Sequence, residues 1–324
     1  MKILTISIAA YNVEKYIEKC LQHLCDSSVV DELEIFVIDD GGNDSTVERA
    51  EKYAEAFPQS VFIVQKENGG YGTTVNYSVS HATGLYHKIL DGDDYFSTEG
   101  IEKLVEFLRQ NDVDWIVTDT QRFIEDGELL DVDTRWHSYA GKIHSIEDVE
   151  PIGTPGMWES TFKTTLLKES IRELPKHTLY TDMLYVTYPL PLVRTVAFLP
   201  FVVYNYRLGR DGQSVTKESR IKHCEENLSN IQIIIDYYYE KNGDALAPLV
   251  QKRFHVYYKW YVLNIMLLPA SKNNYKRIAE YEKRAKQQYR SFYDNVKESK
   301  NILLVRYLKY PGYVIAEAIG VKNW

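Results

Sequence analysis

Lys88-Ile89-Leu90-Asp91-Gly92-Asp93-Asp94-Tyr95-Phe96 sets an apolar run against three carboxylates within four positions. The run reads as a buried strand, and crowded carboxylates at its end are costly unless a cation shares the site. Mg²⁺ or Mn²⁺ suits such a place, because these hard cations take one or two protein carboxylates and complete their shell with water and phosphate oxygens. The alternative is an acidic turn that caps a helix starting near Ser97-Thr98-Glu99. The chain on either side decides between them.

From Lys2 to about Trp115 an apolar strand, a turn and an amphipathic helix alternate. Ile3 to Ile8 leads into a helix with Val13, Ile17, Leu21 and Leu24 at near 3.6-residue spacing. Leu33 to Ile38 is a second strand, and Asp44-Ser45-Thr46 offers cap chemistry for a helix that ends near Phe57-Pro58. Strands follow at Val61 to Val64, Tyr86 to Leu90 and Trp115 to Val117, with helices from Gly70 to about Ala82 and from Ile101 to Leu108. Strands apolar throughout and separated by single helices predict an α/β core: a doubly wound, mainly parallel, Rossmann-like sheet covered on both faces.

Ligands of such sheets bind outside the carboxyl ends of the strands. Four polar or glycine-rich clusters fall there: Ala9-Ala10-Tyr11-Asn12, Asp39-Asp40-Gly41-Gly42, Asn68-Gly69-Gly70-Tyr71-Gly72 and Asp91-Gly92-Asp93-Asp94. Asp39 or Asp40 can accept hydrogen bonds from a base or ribose, and Gly41-Gly42 let the backbone approach. Asn68-Gly69-Gly70 opens a helix whose amides either meet a diphosphate or belong to a glycine turn that caps the helix without a ligand. Asp91 and Asp93 are expected to bracket a metal on that diphosphate. The loop is neither a P-loop nor a GxGxxG fingerprint. Together the clusters point to a site for a nucleoside diphosphate with metal.

The whole chain is consistent with a globular protein: 324 residues, 44% hydrophobic and 13% aromatic, with no low-complexity tract. No apolar stretch approaches the ~20 residues of a spanning helix. The amino terminus reads as a strand rather than an export signal. Cys20, Cys25 and Cys224 form no metal-ligand spacing, and an odd count fits a reducing cytoplasm. The net charge of −8 is uneven: residues 219–324 hold 18 Lys and Arg against 10 Asp and Glu, a balance of +8, which leaves −16 for residues 1–218. An acidic chain without a groove-reading module argues against nucleic acid as partner.

In order and spacing, Ile8-Ala9-Ala10-Tyr11-Asn12, Val37-Ile38-Asp39-Asp40-Gly41-Gly42-Asn43-Asp44-Ser45-Thr46, Glu67-Asn68-Gly69-Gly70 and Leu90-Asp91-Gly92-Asp93-Asp94 resemble the family 2 glycosyltransferases of GT-A fold. The resemblance extends more loosely to about residue 217. It implies that Ala10, Tyr11 and Asn12 face the nucleotide and that Asp40 or Asp39 binds the uracil side. Asp91-Gly92-Asp93 matches the family's DxD, whose first carboxylate contacts ribose and whose last binds Mn²⁺ or Mg²⁺. Asp94 matches an additional acidic residue common in the family. One departure is that Asn76 ends a motif in which many relatives carry Ala-Arg-Asn, so an arginine contact there is absent.

Pro175 to Tyr185 resembles the family's Glu-Asp segment, with Thr181 in place of Glu, and nominates Asp182 as the base that deprotonates the acceptor hydroxyl. An aspartate at a helix start is otherwise an N-cap, and His177 is an alternative base. Trp136, Trp158 and Phe162 either line an acceptor cleft or belong to the core. The stretch Tyr206-Arg207…Gln213-Ser214-Val215 resembles a mobile loop near the diphosphate, where Arg207 or Arg210 offers a forked guanidinium to phosphate. The expected division is therefore a catalytic domain at 1–217, with a nucleotide-sugar half at 1–118 and an acceptor half at 119–217, and a helical region at 218–324. Those tyrosine-rich helices pack on the catalytic domain, form a homo-oligomer interface, or lie against an anionic membrane at the inner face.

The expected function is metal-dependent, inverting sugar transfer in the cytoplasm, from a UDP-sugar to a glycan or lipid-linked glycan acceptor. Two alternatives are a nucleotidyltransferase that makes nucleotide sugars, for which Tyr11-Asn12-Val13-Glu14 supplies no basic glycine-rich loop, and a non-catalytic nucleotide-sugar-binding module.

Overall fold

The computed structural model describes residues 1–124, 127–210, 213–288, 290–295 and 299–320. The chain divides into two compact units at residues 211–212. That pair lies outside the described residues, as does that part of the expected mobile loop.

The first unit begins with β1 (Leu4–Ala9), α1 (Ile17–Cys25), β2 (Leu33–Asp39), α2 (Thr46–Ala56), β3 (Val61–Gln65), α3 (Tyr71–His81) and β4 (Tyr86–Asp91). It continues through β5 (Tyr95–Phe96), α4 (Thr98–Gln110) and β6 (Trp115–Ile124). Each helix forms because one stripe is apolar: Ile17, Cys20, Leu21 and Leu24 of α1 are fully buried. Burying each such leucine or isoleucine contributes roughly 1.5–3 kcal/mol. α4 is capped by Ser97, whose hydroxyl accepts from the Gly100 amide at 3.1 Å. The aspartates before it are therefore not needed as caps.

β7 (Leu129–Asp133), β8 (Ile143–Ser145), β9 (Ser160–Lys163), α5 (Thr164–Ser170), α6 (Asp182–Thr187) and β10 (Thr195–Leu208) complete the unit. All strands join one sheet in the order β3-β2-β1-β4-β9-β6-β10-β5, with β7 on β6 and β8 on β10. β1 pairs in parallel with both β2 and β4, so the winding direction reverses there and opens a crevice at the carboxyl ends of β1 and β4. β9 runs antiparallel between β4 and β6. That insertion was not expected, because Ser160-Thr161-Phe162-Lys163 is short and mostly polar. β10 spans 14 residues and tolerates Pro200 because its register breaks between Leu199 and Val202.

The second unit is helical: α7 (Lys217–Lys222), α8 (Cys224–Glu240), α9 (Pro248–Leu267), α10 (Lys272–Gln288), α11 (Arg290–Asn295) and α12 (Lys300–Ala318). α7 and α8 are separated at His223. α12 kinks at Lys309, which has a left-handed φ of 61°, just before Pro311. Many tyrosines are its core. Tyr258 stacks on Tyr281 at 5.1 Å and donates to Glu282 at 2.6 Å, and the Tyr313 hydroxyl donates to the carbonyls of Ile265 and Leu268 at 2.8 Å each. No described helix is long and apolar enough to cross a membrane.

Candidate active site

The turns at the crevice are tied to one another. Asn12 takes a left-handed backbone and accepts the Asn43 amide at 2.9 Å. The Val13 amide donates to Thr46 Oγ1 at 2.9 Å, and Asp44 receives the Glu14 and Thr46 amides at 3.0 Å each. The turns after β1 and β2 thus form one piece, with Tyr11 and Asn12 exposed over a buried Ala10.

Asp39 and Asp40, equivalent in the sequence, part ways here. The Asp40 carboxylate accepts from the amides of Gly69 at 3.0 Å and Gly70 at 2.7 Å, from Thr73 Oγ1 at 3.3 Å, and pairs with Lys66. Asn68 donates to its carbonyl at 2.9 Å. Asp40 is spent on folding the glycine turn. The expectation that the Gly69 and Gly70 amides meet a diphosphate is corrected by the same contacts, since both amides already donate to Asp40. Asp39 accepts from the Gly42 amide at 3.0 Å, and burial lifts its pKa. A side chain at Gly42 would meet Asp39 Oδ1 at 2.7 Å.

The acidic turn closes on β1, the Gly92 amide donating to the Ala9 carbonyl at 3.0 Å. Asp94 is 2% exposed, and its two oxygens receive the Tyr204 hydroxyl at 2.8 Å and the Arg207 amide at 2.7 Å. Burial pushes its pKa well above the carboxylate range. Arg207 is 6% exposed, donates through Nε to the Asp93 carbonyl at 2.8 Å, and lies over the rings of Tyr16 and Phe123 at 4.6 and 4.9 Å. It braces the turn from within, which corrects its nomination as a fork open to phosphate. Arg210 is 29% exposed at its side chain and sets Nε 2.8 Å from Asp93 Oδ2.

Ligand oxygens of Asp91, Asp93 and Asp94 all lie within 4.8 Å of one another. With Asp94 engaged by the scaffold, Asp91 and Asp93 remain for a cation. Asp91 Oδ1 is sealed from solvent without a hydrogen-bond partner, and burial, then the Asp93 charge, push Asp91 up to about 7. A pair of hard oxygen ligands, one of them unpartnered, fits Mg²⁺ or Mn²⁺. The Tyr71 hydroxyl approaches Asp91 without meeting hydrogen-bond geometry and is also sealed.

Asp182 is the first residue of α6, and Thr181 is the N-cap residue, so Asp182 is not the cap. Its segment is fastened to the glycine turn and α3. Asn76 donates to the Leu174 carbonyl at 3.0 Å and accepts the Leu174 amide at 2.9 Å, and the His177 amide donates to the Gly69 carbonyl at 2.6 Å. Gly70, at φ +84°, has the His177 backbone nitrogen 3.0 Å from where a Cβ would stand. His177 and Tyr180 both adopt left-handed φ, at 49° and 62°, and such strain just before a polar residue is a feature of functional sites. Burial first, then the charges of Asp91 and Asp182, hold the Tyr71 phenol well above its usual pKa, and the Asp182 charge also raises Asp91, so Asp182 lies near both. The His177 side chain is exposed, and its amide is what the fold uses.

Of the three aromatics, Trp136 and Phe162 are core, whereas Trp158 stacks on Tyr206 at 5.5 Å with 7° between planes. Sequence reasoning missed Tyr71, Tyr204 and Tyr206, as well as two buried charged groups behind the turn. Lys88 donates to the carbonyls of Trp158 at 2.8 Å and Ser160 at 3.1 Å, and burial brings its pKa down to about 7. Glu159 accepts from the Gly156 amide at 2.6 Å and Trp136 Nε1 at 3.1 Å, and burial pushes it up to about 7. Lys88 alone had a local signal, as a charge inside an apolar run.

A family model described as glycosyl transferase family 2 matches residues 5–166, half of the chain. The chain is 34% identical over 139 residues to chondroitin synthase of Pasteurella multocida (strain Pm70), a match covering 43% of this chain and 14% of that one. It thus spans a small part of that relative's length. Among solved structures it is similar to S. aureus TarS (1–349) in complex with UDP-GlcNAc, at TM-score 0.54 and 18% identity, covering 90% of this chain and 92% of that one. It is also similar to the mannosyltransferase PcManGT from Pyrobaculum calidifontis in complex with GDP-Man and Mn²⁺, at TM-score 0.58 and 18% identity, covering 98% of this chain and 86% of that one. These structural likenesses establish the GT-A fold.

Proposed function

Because the chain belongs to glycosyl transferase family 2, we propose that it moves a sugar, with inversion, from a UDP-sugar to a glycan or lipid-linked glycan acceptor. The observation that carries this reading is the crevice at β1 and β4. Two carboxylates fitted to a hard cation stand at the end of β4, the Asp182 charge is near enough to raise Asp91, and the turns of Tyr11, Asn12 and Asp39 are joined beside them. The nucleotide-sugar complexes of TarS and PcManGT support the donor class.

Asp39 and the turn at Ala10, Tyr11 and Asn12 take the uracil and ribose, with Asp91 on the ribose side. A divalent cation on Asp91 and Asp93 supplies positive charge for the departing diphosphate. Arg210 offers its guanidinium beside it. The turn at Asn68, Gly69 and Gly70 forms a wall of the site, and Asp182 accepts the proton of the attacking hydroxyl. Residues 1–118 serve the donor and 119–217 the acceptor. On α12, Tyr307, Leu308, Val314 and Ile315 are exposed, as is Ile319 just after it. A contact of residues 218–324 with a second copy or an anionic membrane would fall there.

Mass spectrometry of UDP release from UDP-glucose, UDP-galactose and their N-acetyl forms, with Mn²⁺, tests the reading. Release from at least one is expected, and failure to release or to bind UDP overturns it. Asp182→Asn is expected to retain UDP binding while transfer falls roughly 100-fold or more. Near-normal turnover would remove Asp182 from the role of base.

A further inference from the structure

Asp119 and His137 form a pair that the reaction above does not use. Asp119, near the carboxyl end of the buried part of β6, is 5% exposed, and its Oδ2 lies 2.7 Å from His137 Nε2. The His137 side chain is 45% exposed. Its segment is anchored by Trp136, which stacks on Phe198 at 5.0 Å and donates to Glu159. The imidazole is thus presented to solvent from a fixed backbone.

Strand register places the pair. Phe162 of β9 is paired on one side with His87 of β4 and on the other with Trp115 of β6. Four residues onward along these two like-directed strands stand Asp91 and Asp119. They occupy the same level of the sheet, two strand spacings or about 10 Å apart. They also share a face. The Phe162 ring contacts both Trp115 and Tyr185, and His87 contacts Tyr185 as well. Alternation along each strand then turns Asp91 and Asp119 toward the side that carries α6, the helix Asp182 begins. The register break in β10 falls opposite Asp119, which pairs with Val202. Bulges of this kind re-aim side chains beside active sites.

A carboxylate that accepts from Nε2 fixes the imidazole tautomer and leaves the lone pair on Nδ1. On a half-exposed side chain, that Nδ1 is an acceptor for an O–H donor. We propose that His137, oriented by Asp119, binds a hydroxyl of the acceptor saccharide on the same face as Asp182, outside the reacting centre. Asp119 is a positioning residue that acts through the imidazole. The inference rests on the proposed sugar transfer, and it names a site on the acceptor side.

The test follows the His137 ring signals by NMR in the full chain with UDP and diamagnetic Mg²⁺, while the methyl glycosides of glucose, galactose, N-acetylglucosamine and N-acetylgalactosamine are added. At least one glycoside should move these signals, and Asp119→Asn, which reverses the tautomer preference, should abolish the response. In parallel, the ratio of transfer to donor hydrolysis should fall about 10-fold in His137→Gln, the loss of roughly one hydrogen bond, through KM for the glycoside. If none of the four moves the His137 signals, or the ratio is unchanged in His137→Gln, the assignment is overturned. A wild-type protein that neither binds UDP nor releases it from any UDP-sugar overturns the donor reading itself, and that outcome is separate from the other two.

Discussion

Two acidic turns flank the crevice, and each holds adjacent aspartates with opposite fates. In the turn after β2, Asp40 is consumed by Lys66, Gly69, Gly70 and Thr73, whereas Asp39 accepts from the Gly42 amide. In the turn after β4, Asp94 is consumed by Tyr204 and Arg207, whereas Asp93 is met by the partly exposed guanidinium of Arg210. A site built this way hides its scaffold among its ligands. Asp40 and Asp94 hold the turns, and their partners, not their own identity, set them apart from Asp39, Asp91 and Asp93.

The comparison breaks most visibly at the second turn. Asp93→Ala should cost several kcal/mol of Mn²⁺-dependent UDP binding, roughly 100-fold or more, with the melting temperature kept. Asp94→Ala should instead lower stability by about 2–4 kcal/mol, because Tyr204 and the Arg207 amide lose a buried partner. Calorimetry of UDP binding alongside thermal unfolding reads both, and a stable Asp94→Ala variant would end the distinction. At the first turn the same contrast is smaller. Asp40→Ala should destabilise by about 2–3 kcal/mol, while Asp39→Ala should lose about 1 kcal/mol, its one hydrogen bond from Gly42, and weaken UDP binding about 10-fold. Equal melting temperatures for the two variants would show that the turns do not share this design.

Glu159 gives the smallest and most specific test, since it too is a buried carboxylate held by the scaffold. Its pKa is raised by burial from 4.5 to about 7. The folded protein therefore binds a proton that the unfolded chain releases, so the contribution to stability is present below about 4.5 and is lost as pH rises through about 7. Glu159→Gln should gain on the wild type by on the order of 1–3 kcal/mol between pH 5 and pH 8, read by denaturant unfolding. An unchanged gap across that range would mean that Glu159 does not titrate there.

Much of this was legible in the chain itself. The apolar runs of β1, β2, β4 and β6 and the crowding of Asp91, Asp93 and Asp94 are local patterns, and local patterns survive without knowledge of partners. Asp39 and Asp40 could not be told apart, because Lys66 and the two glycine amides reach Asp40 from 26 to 30 residues away. Arg207 and Arg210 read alike for the same reason. β9 escaped notice because two strands distant in sequence make it a strand, with no hairpin or apolar run of its own. The Asp119–His137 pair escaped notice too, since neither residue stands in a recognisable motif and their meeting depends on a turn after β7.

The reciprocal hydrogen bonds between Asn76 and Leu174 span 98 residues of chain. Closing so long a loop carries an entropy cost that the packing around it must offset. The turns after β1 and β2 are joined by contacts within residues 12–46, but the acidic turn after β4 is held by the Tyr204 hydroxyl and the Arg207 amide, which lie beyond Asp182 in the chain. The donor side of the crevice is thus complete only when the whole first unit is.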